Sequence, residues 1–225
     1  MDRSRIAVII PALNESATIS QVVRAVAAHG QAIVVDDGSS DTTAAIAEQA
    51  GAQVVRHARN QGYDGALNSG FAHADRQGFE YFVTVDADGQ HNPALISAFV
   101  ARLDDGADVV AGVRDRRQRL GEHVFAWVGG VLWGIRDPMC GMKAYRADLY
   151  RMLGHFDAYQ SIGTELCIFA VRSGKRMDQI PVATADRQDS PRFGRRWVAN
   201  RRILRALVLG IFRRQVPTAS PQEQP

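Results

Sequence analysis

The sequence predicts an α/β fold, an open and mostly parallel sheet flanked by helices, and three observations lead there. Short apolar runs alternate with segments of helical periodicity up to residue 114 of the 225-residue chain. The runs are continuously apolar, as strands buried on both faces require. Polar side chains collect directly after them: Asn14 and Glu15, Asp36 and Asp37, Asp86 and Asp88. Alternation of this kind places helices on both faces of a parallel sheet with right-handed crossovers, and ligands bind beyond the carboxyl ends of its strands.

Ile6 to Ile10, closed by Pro11, reads as the first strand. Thr18 to His29 sets Ile19, Val22, Val23 and Val26 at helical spacing, with Gly30 as its stop. Ala32 to Val35 is a second strand that ends at Asp36-Asp37. Ser40 or Asp41 caps a helix over Thr42 to Ala50, and Gln53 to Arg56 is a third strand. A turn at Asn60 to Gly62 leads into a helix over Gly65 to Gln77, where Ala66, Ser69 and Gly70 suit close packing. Tyr81 to Val85 is the fourth strand, Pro93 to Leu103 a helix and Asp108 to Ala111 the fifth strand. Beyond residue 113 come a charge-rich loop (Arg114 to Arg119), an apolar and aromatic stretch (Val124 to Ile135) and a turn (Asp137 to Gly141). A short element at Met142 to Tyr145, a helix at Thr164 to Ser173, a strand at Ile180 to Val182 and a helix at Ala199 to Arg214 follow. No repeat or linker divides residues 1–214, which are expected to form one domain, and residues 215–225 have the composition of a disordered tail.

Composition narrows the class. With 46% hydrophobic residues the chain folds around a sizeable core. Cys140 and Cys167 lie in dissimilar surroundings outside any CxxC unit, which argues against a disulfide framework or structural zinc and fits a reducing compartment. No signal-peptide pattern precedes Ile6, and no apolar window reaches the roughly 18 residues of a membrane span. Formal net charge is +3, but nine arginines against one acid, Asp189, fall between Arg187 and Arg214.

Asp86-Ala87-Asp88-Gly89-Gln90-His91 carries the strongest chemical signal. On an extended chain Asp86 and Asp88 project to one side. They can share one Mg2+ or Mn2+, hard cations that also take substrate phosphates. Gln90 or His91 can complete the shell, and imidazole suits Mn2+ better than Mg2+. A solvated Asp-Gly turn is the competing reading. No GxGxxG follows the first strand and no GxxxxGK[ST] occurs, which weighs against dinucleotide and P-loop chemistry. Asn14 and Glu15 serve equally well as a helix start or as ligand contacts. Gly38, Ser40 and Asp41 account for a turn and a cap, leaving one or both of Asp36 and Asp37 to accept from a base N–H or a ribose hydroxyl.

Taken in order, VIIPALNE, VVDDGSSDTT, NQGYDGALNSG and VTVDADGQH resemble the inverting family-2 glycosyltransferases with the GT-A fold. The nearest branch is that of the dolichyl-phosphate mannose synthases and bacterial polyprenyl-phosphate sugar transferases. The four-block order is the specific feature; the likeness is strong over residues 6–114 and weaker to about 192. It implies a single GT-A domain: a Rossmann-like nucleotide-sugar-binding half at 1–114, an acceptor half at 115–194 and a basic amphipathic helix at 195–214. It further implies that Pro11, Asn14 and Glu15 line the nucleotide pocket and that one of Asp36 and Asp37 holds the base or ribose. Asp86 would contact the nucleotide sugar, while Asp88 and Gln90 help to hold the metal on the diphosphate. Arg114 closes a Gly-x-Arg unit, Asp137 and Gly141 match an Asp-x-x-x-Gly, and Glu165 falls in the segment that faces the acceptor. Arg187, Ser190 and Arg192 match a late Arg and Ser-Lys segment, with arginine at the lysine position.

The activity implied is metal-dependent, inverting transfer of a hexose from a nucleotide diphosphate sugar of the GDP-mannose or UDP-glucose type to a polyprenyl or dolichyl phosphate. Asp88, Glu165, Arg114 and Arg187 are the expected catalytic residues, with Arg192 among the nucleotide-sugar contacts. A saccharide or lipid-linked sugar is the alternative acceptor; as an alcohol it needs a general base, Glu165 first and Asp137 second. A lipid phosphate is already anionic and needs positioning arginines instead. A nucleotidyltransferase is the reading from another class, and the lack of a glycine- and lysine-rich loop between Pro11 and Thr18 counts against it. Nucleic acid is not an expected partner, because acidic strand ends would repel a polyanion. Residues 195–214 fit an interfacial helix on an anionic leaflet, or packing against the protein's own core. The expected location is cytoplasmic, peripheral on the cytoplasmic face of the membrane or bound to a membrane-protein partner.

Overall fold

The computed structural model describes residues 2–116, 119–183 and 196–213. Strands β1 (Ile6–Ala12), β2 (Gln31–Asp36), β3 (Gln53–Arg56), β4 (Tyr81–Thr84), β5 (Val109–Arg114), β6 (Lys143–Arg146) and β7 (Met177–Val182) form one sheet in the order β3-β2-β1-β4-β6-β5-β7. All neighbours are parallel except β6, which runs antiparallel to both β4 and β5. The helices are α1 (Ile19–Val26), α2 (Thr43–Gln49), α3 (Gly62–Arg76), α4 (Leu95–Asp104), α5 (Leu120–Trp133), α6 (Ala147–Leu153), α7 (Glu165–Arg172) and α8 (Arg196–Phe212).

The period of two along β1 sorts the core. Ile6, Val8 and Ile10 face one layer with α1, α2 and α4, while Ala7 and Ile9 face the other with α3, α5, α6, α7 and α8. Each buried isoleucine of β1 contributes roughly 1.5–3 kcal/mol. An aromatic cluster anchors the second layer: Phe71 of α3 lies 5.3 Å from Phe82 of β4, 5.7 Å from Tyr145 of β6 and 4.5 Å from Phe156. Pro11 sits in a central strand at no cost. Its nitrogen faces the β4 side, one place past the last ladder bond there, from the Val85 N–H to the Ile9 carbonyl.

The chain leaves β3 at one edge and re-enters the sheet as β4 on the other side of β1. That reversal opens a crevice beyond the carboxyl ends of β1 and β4, the place where open α/β sheets bind ligands. Three expectations change. β4 ends at Thr84, and Ala87-Asp88 lie in a turn closed by Gly89 at φ 73°, so the extended geometry that aligned Asp86 with Asp88 does not apply. β5 runs three residues further, to Arg114, because β7 pairs with it to the end. Helix α3 starts at Gly62 rather than Gly65, for a reason that lies in the site.

Candidate functional site

Two loops meet at the mouth of the crevice. Asn14 adopts a left-handed φ of 53°, which asparagine tolerates. Its N–H donates to Ser39 Oγ (2.9 Å), and its side-chain oxygen accepts from the Ser40 N–H (2.8 Å). The Glu15 N–H donates to Thr43 Oγ1 at the start of α2, and the buried Glu15 carboxylate accepts from Thr18. Asp41 accepts from the Thr43 N–H, capping α2. The ends of β1 and β2 are thereby one rigid rim.

Asp36 and Asp37 divide their work. Asp37 accepts the N–H groups of Gln61 and Gly62, both at 2.8 Å, and contacts His57 Nδ1 at 2.7 Å, while His57 Nε2 reaches Ser69 Oγ. Together with Asn60 Oδ1, which also accepts from the Gly62 N–H at 2.8 Å, it caps α3, and the two explain why that helix begins early. Asp36, also buried, accepts from the Ser39 N–H at 3.2 Å.

Asp86 stands at the crevice between Tyr63 of α3 and Gly141 ahead of β6. Tyr63 donates its hydroxyl to Asp86 Oδ1 at 3.3 Å, and burial, then the charges of Asp86 and Asp64, hold that phenol well above its ordinary pKa. A Cβ at Gly141 would overlap the Asp86 carboxylate, so only glycine fits there. His91 lies buried with Nδ1 3.8 Å from Asp86 Oδ2, and that nitrogen has no hydrogen-bond partner among the described residues. Asp88 Oδ1 accepts from the Gln90 N–H at 3.1 Å.

Helix α3 binds the far wall. Asp64 accepts the N–H groups of Gly163 (2.7 Å) and Ile162 (3.2 Å). Asn68, one turn on, accepts from Phe156 and Asp157 and donates to the Asp157 carbonyl. The Asp157 carboxylate in turn gathers the N–H groups of Tyr159, Gln160 and Ser161. These ties hold Gln160 and Ile162 at φ 58°, costly for side-chain-bearing residues and kept only where the surroundings fix them. Burial, and next the charge of Asp157, push Asp64 up to about 7 against the lowering pull of its two N–H donors. Lys143 of β6, also buried, donates to the Gly163 carbonyl at 3.1 Å. The loop delivers Glu165 to the start of α7, where its carboxylate accepts from the Ala158 N–H (2.6 Å) and lies 3.3 Å from His155 Nε2; burial raises its pKa.

Arg114 at the end of β5 engages Asp137 through Nε (2.8 Å) and Nη2 (3.0 Å), with Glu122 of α5 at 3.3 Å. Burial pulls its pKa down, but the bonds and charge of Asp137 more than offset that and leave it above its ordinary value. Both thiols are buried and pushed up to about 11, Cys140 and Cys167 alike, which keeps them protonated and unreactive.

Residues 7–125 match the family model described as Glycosyl transferase family 2. The chain belongs to glycosyltransferase family 2. An uncharacterised glycosyltransferase of Mycobacterium tuberculosis is 32% identical over 81% of this chain and 86% of its own length. The undecaprenyl-phosphate 4-deoxy-4-formamido-L-arabinose transferase of an Enterobacter species is 31% identical over 82% of this chain, which spans 61% of that protein. Among solved structures, glucosyl-3-phosphoglycerate synthase of M. tuberculosis, determined with Mn2+, UDP and phosphoglyceric acid, aligns over 96% of this chain and 80% of its own. The TM-score is 0.77 at 22% identity. The fold of this family-2 glycosyltransferase is therefore GT-A.

Of the residues expected in the transferase site, Pro11, Asn14, Glu15, Asp36, Asp86, Asp88 and Gln90 lie at or just after the carboxyl ends of β1, β2 and β4, while Glu165 is buried at the start of α7. Asp37 and Arg114 are bound into the scaffold behind them. Arg187 and Arg192 lie outside the described residues, as does the tail at 215–225. Sequence reasoning passed over Tyr63, Asp64, Asn68, Lys143 and Asp157. A signal was present: Asp64 and Asn68, four apart on a helix packed against the sheet, are polar residues on a buried face.

Proposed function

We propose that this glycosyltransferase moves a hexose from a nucleotide diphosphate sugar to the phosphate of a polyprenyl lipid with inversion. The observation that carries the donor side is the convergence on Asp86 of Tyr63, Gly141 and His91 at the crevice between β1 and β4. Asp36 would accept from the base or ribose, while Asn14 and Glu15 shape the pocket and Pro11 lines it. The acceptor assignment draws on the undecaprenyl-phosphate sugar transferases, 29–31% identical to this chain.

The donor set fits a divalent cation. Asp86 and Asp88 offer hard oxygens, and the buried His91 Nδ1 lacks a hydrogen-bond partner among the described residues. Among the described residues no three acidic, histidine or cysteine side chains form a ready cage. Mg2+ and Mn2+ sites in phosphate-handling enzymes are commonly built that way, from one or two carboxylates and the substrate's own phosphate oxygens. Asp86 and Asp88, with Gln90, would hold the ion, which when bound offsets the charge of the leaving diphosphate.

A lipid phosphate attacks through an oxygen already anionic, so what the chain must supply is orientation and exclusion of water. Glu165 suits that role, because its carboxylate organises the loop at Ala158 and His155. Arg114 acts through Asp137 as a positioning residue, with Arg187 and Arg192 as candidate contacts to the two anionic substrates. The test is a panel of nucleotide sugars incubated with native lipid extract, phosphoglycerate and saccharides, with products identified by mass. A glycosylated polyprenyl phosphate formed by the intact chain and lost in Asp88→Asn supports the proposal. Exclusive transfer to phosphoglycerate or to a sugar hydroxyl overturns it.

A further inference from the structure

Asp86 is enclosed from two directions, by the Tyr63 hydroxyl at 3.3 Å and by Gly141, where a Cβ would overlap its carboxylate. Each enclosing residue has a charged near neighbour: Asp64 follows Tyr63, and Lys143 stands two places after Gly141. Both neighbours reach the same residue across the crevice. Asp64 Oδ1 accepts from the Gly163 N–H at 2.7 Å and Oδ2 from the Ile162 N–H at 3.2 Å, while Lys143 Nζ donates to the Gly163 carbonyl at 3.1 Å. Gly163 is thus gripped at both of its backbone polar groups, by side chains of opposite charge. The backbone of Lys143 is fixed in turn. Its N–H donates to Thr84 Oγ1 at 3.2 Å, and that hydroxyl donates to the Gly141 carbonyl at 2.6 Å.

Stability alone does not call for these charges. Lys143 is 3% exposed, and burial with the charge of Asp157 raises Asp64 to about 7. Apolar residues of similar volume often replace buried charges without loss of stability. What the two side chains secure is a backbone shape. Ile162 and Gly163 are both left-handed, at φ 58° and 70°, a pairing that a β-branched residue adopts only where its surroundings impose it. The shape lays Gly163 against the Tyr63 ring, with 3.2 Å between Tyr63 Cε1 and the place a Cβ would take. A side chain there would press on the same ring whose hydroxyl meets Asp86. Two residues further on, Glu165 opens α7.

We propose that Asp64 and Lys143 are positioning residues of the transferase, which grip Gly163 and so hold the loop before Glu165 in register with the Asp86 carboxylate. Neither side chain has to touch a substrate. Asp64 acts from the first turn of α3, beside the residue that orients Asp86, and Lys143 acts from the start of β6, tied to the residue that leaves room for Asp86. A shift at either place would move the wall along which an acceptor approaches the sugar, while the nucleotide contacts at the ends of β1 and β2 stay in place. This deepens the proposed function and rests on it for the roles of Asp86 and of the wall.

The test pairs kinetics with hydrogen exchange. With the donor and acceptor that the nucleotide-sugar panel identifies, Asp64→Asn and Lys143→Met should each lower kcat about ten- to a hundred-fold, the loss that a misplacement of roughly 1 Å produces. KM for the nucleotide sugar should stay within about three-fold, a split that loss of folded protein alone would not make. The double variant should lose little more than either single one, since both grips act on one residue; multiplied losses would show two independent effects and overturn the proposal. Exchange is read without substrate. The Ile162 and Gly163 amides should be protected in the intact chain and exchange at least about ten-fold faster in both variants, with β1 and β2 unchanged. Unchanged kcat, or a rise in KM that matches the fall in kcat, overturns the proposal. Unprotected amides in the intact chain do so as well, and that measurement decides even where a variant fails to fold. No product from any donor in the panel would instead sink the transferase reading, whereas exchange unaltered by the substitutions would sink the grip.

Discussion

Asp37 gives both carboxylate oxygens to the scaffold, whereas the carboxylate of its neighbour Asp36 is engaged by the Ser39 N–H. The two should respond differently to substitution. Asp37→Ala leaves the Gln61 N–H and His57 without this acceptor and the Gly62 N–H with Asn60 Oδ1 alone, and should cost about 3–5 kcal/mol in urea unfolding. Asp36→Asn should leave stability nearly unchanged and weaken nucleotide binding about ten- to a hundred-fold, the worth of one bond to a charged acceptor. At Glu165 the carboxylate's partners are the Ala158 N–H and His155, both of which a glutamine can satisfy. Glu165→Gln should therefore keep transfer to lipid phosphate within a few-fold, measured as product per enzyme; abolished transfer with intact nucleotide binding would reinstate a general base. Asp64 titrates near 7 in the fold against 3.8 as its ordinary value. The unfolded chain then binds fewer protons at this site between those values, so the contribution to stability is fully present below about pH 4 and is lost as pH rises through 7. Asp64→Asn should flatten the decline of Tm between pH 5 and 8, and an unchanged slope would show that Asp64 is not its source.

At the scale of elements, what could be read from the chain was what local pattern determines. β1 to β5 and the helices between them announce themselves by apolar runs and 3.6-residue periodicity, and each appears within a few residues of its expected place. The small residues of α3 also behave as their spacing suggests, since a Cβ on Gly70 would run into Ile9 and Val35. Helix α6 was missed because it follows β6 without a break and spans only seven residues, too few for a helical period to stand out. The early start of α3 was only half legible: Asn60 Oδ1 takes the Gly62 N–H locally, but the second acceptor, Asp37, lies 25 residues before Gly62 and no local pattern records that bond. The same holds for the 156–163 loop, whose conformation depends on Asp64 and Asn68 across about 90 residues of sequence. Removing the side chain of Asn68 strips acceptors from the Phe156 and Asp157 N–H groups. Asn68→Ala should destabilise the chain by about 1–3 kcal/mol and speed hydrogen exchange in the 156–163 loop.

The order of strands joins the chain before and after residue 114 into one folding unit. β6, from the later part, lies between β4 and β5 of the earlier part, and β7 extends the sheet beyond β5. A chain cut after residue 114 would leave β4 and β5 without the strand that joins them and would remove most of the helical layer over Phe71 and Phe82. That fragment should fail to fold, and the intact chain should unfold in a single transition by fluorescence and circular dichroism alike. Ligand linkage follows from the same unity. If the crevice takes a nucleotide diphosphate with Mn2+ as proposed, only the assembled crevice can bind it, so it should raise the stability of the whole molecule by about 2.7 kcal/mol at a hundred-fold excess over Kd. In Asp88→Asn the nucleotide should keep only its metal-independent contacts at Asp36 and the β1 loop, and adding Mn2+ should give no further rise. If Mn2+ strengthens the nucleotide effect equally in both proteins, the carboxylate of Asp88 does not hold the ion, and the donor site has to be assigned to other residues of the same rim.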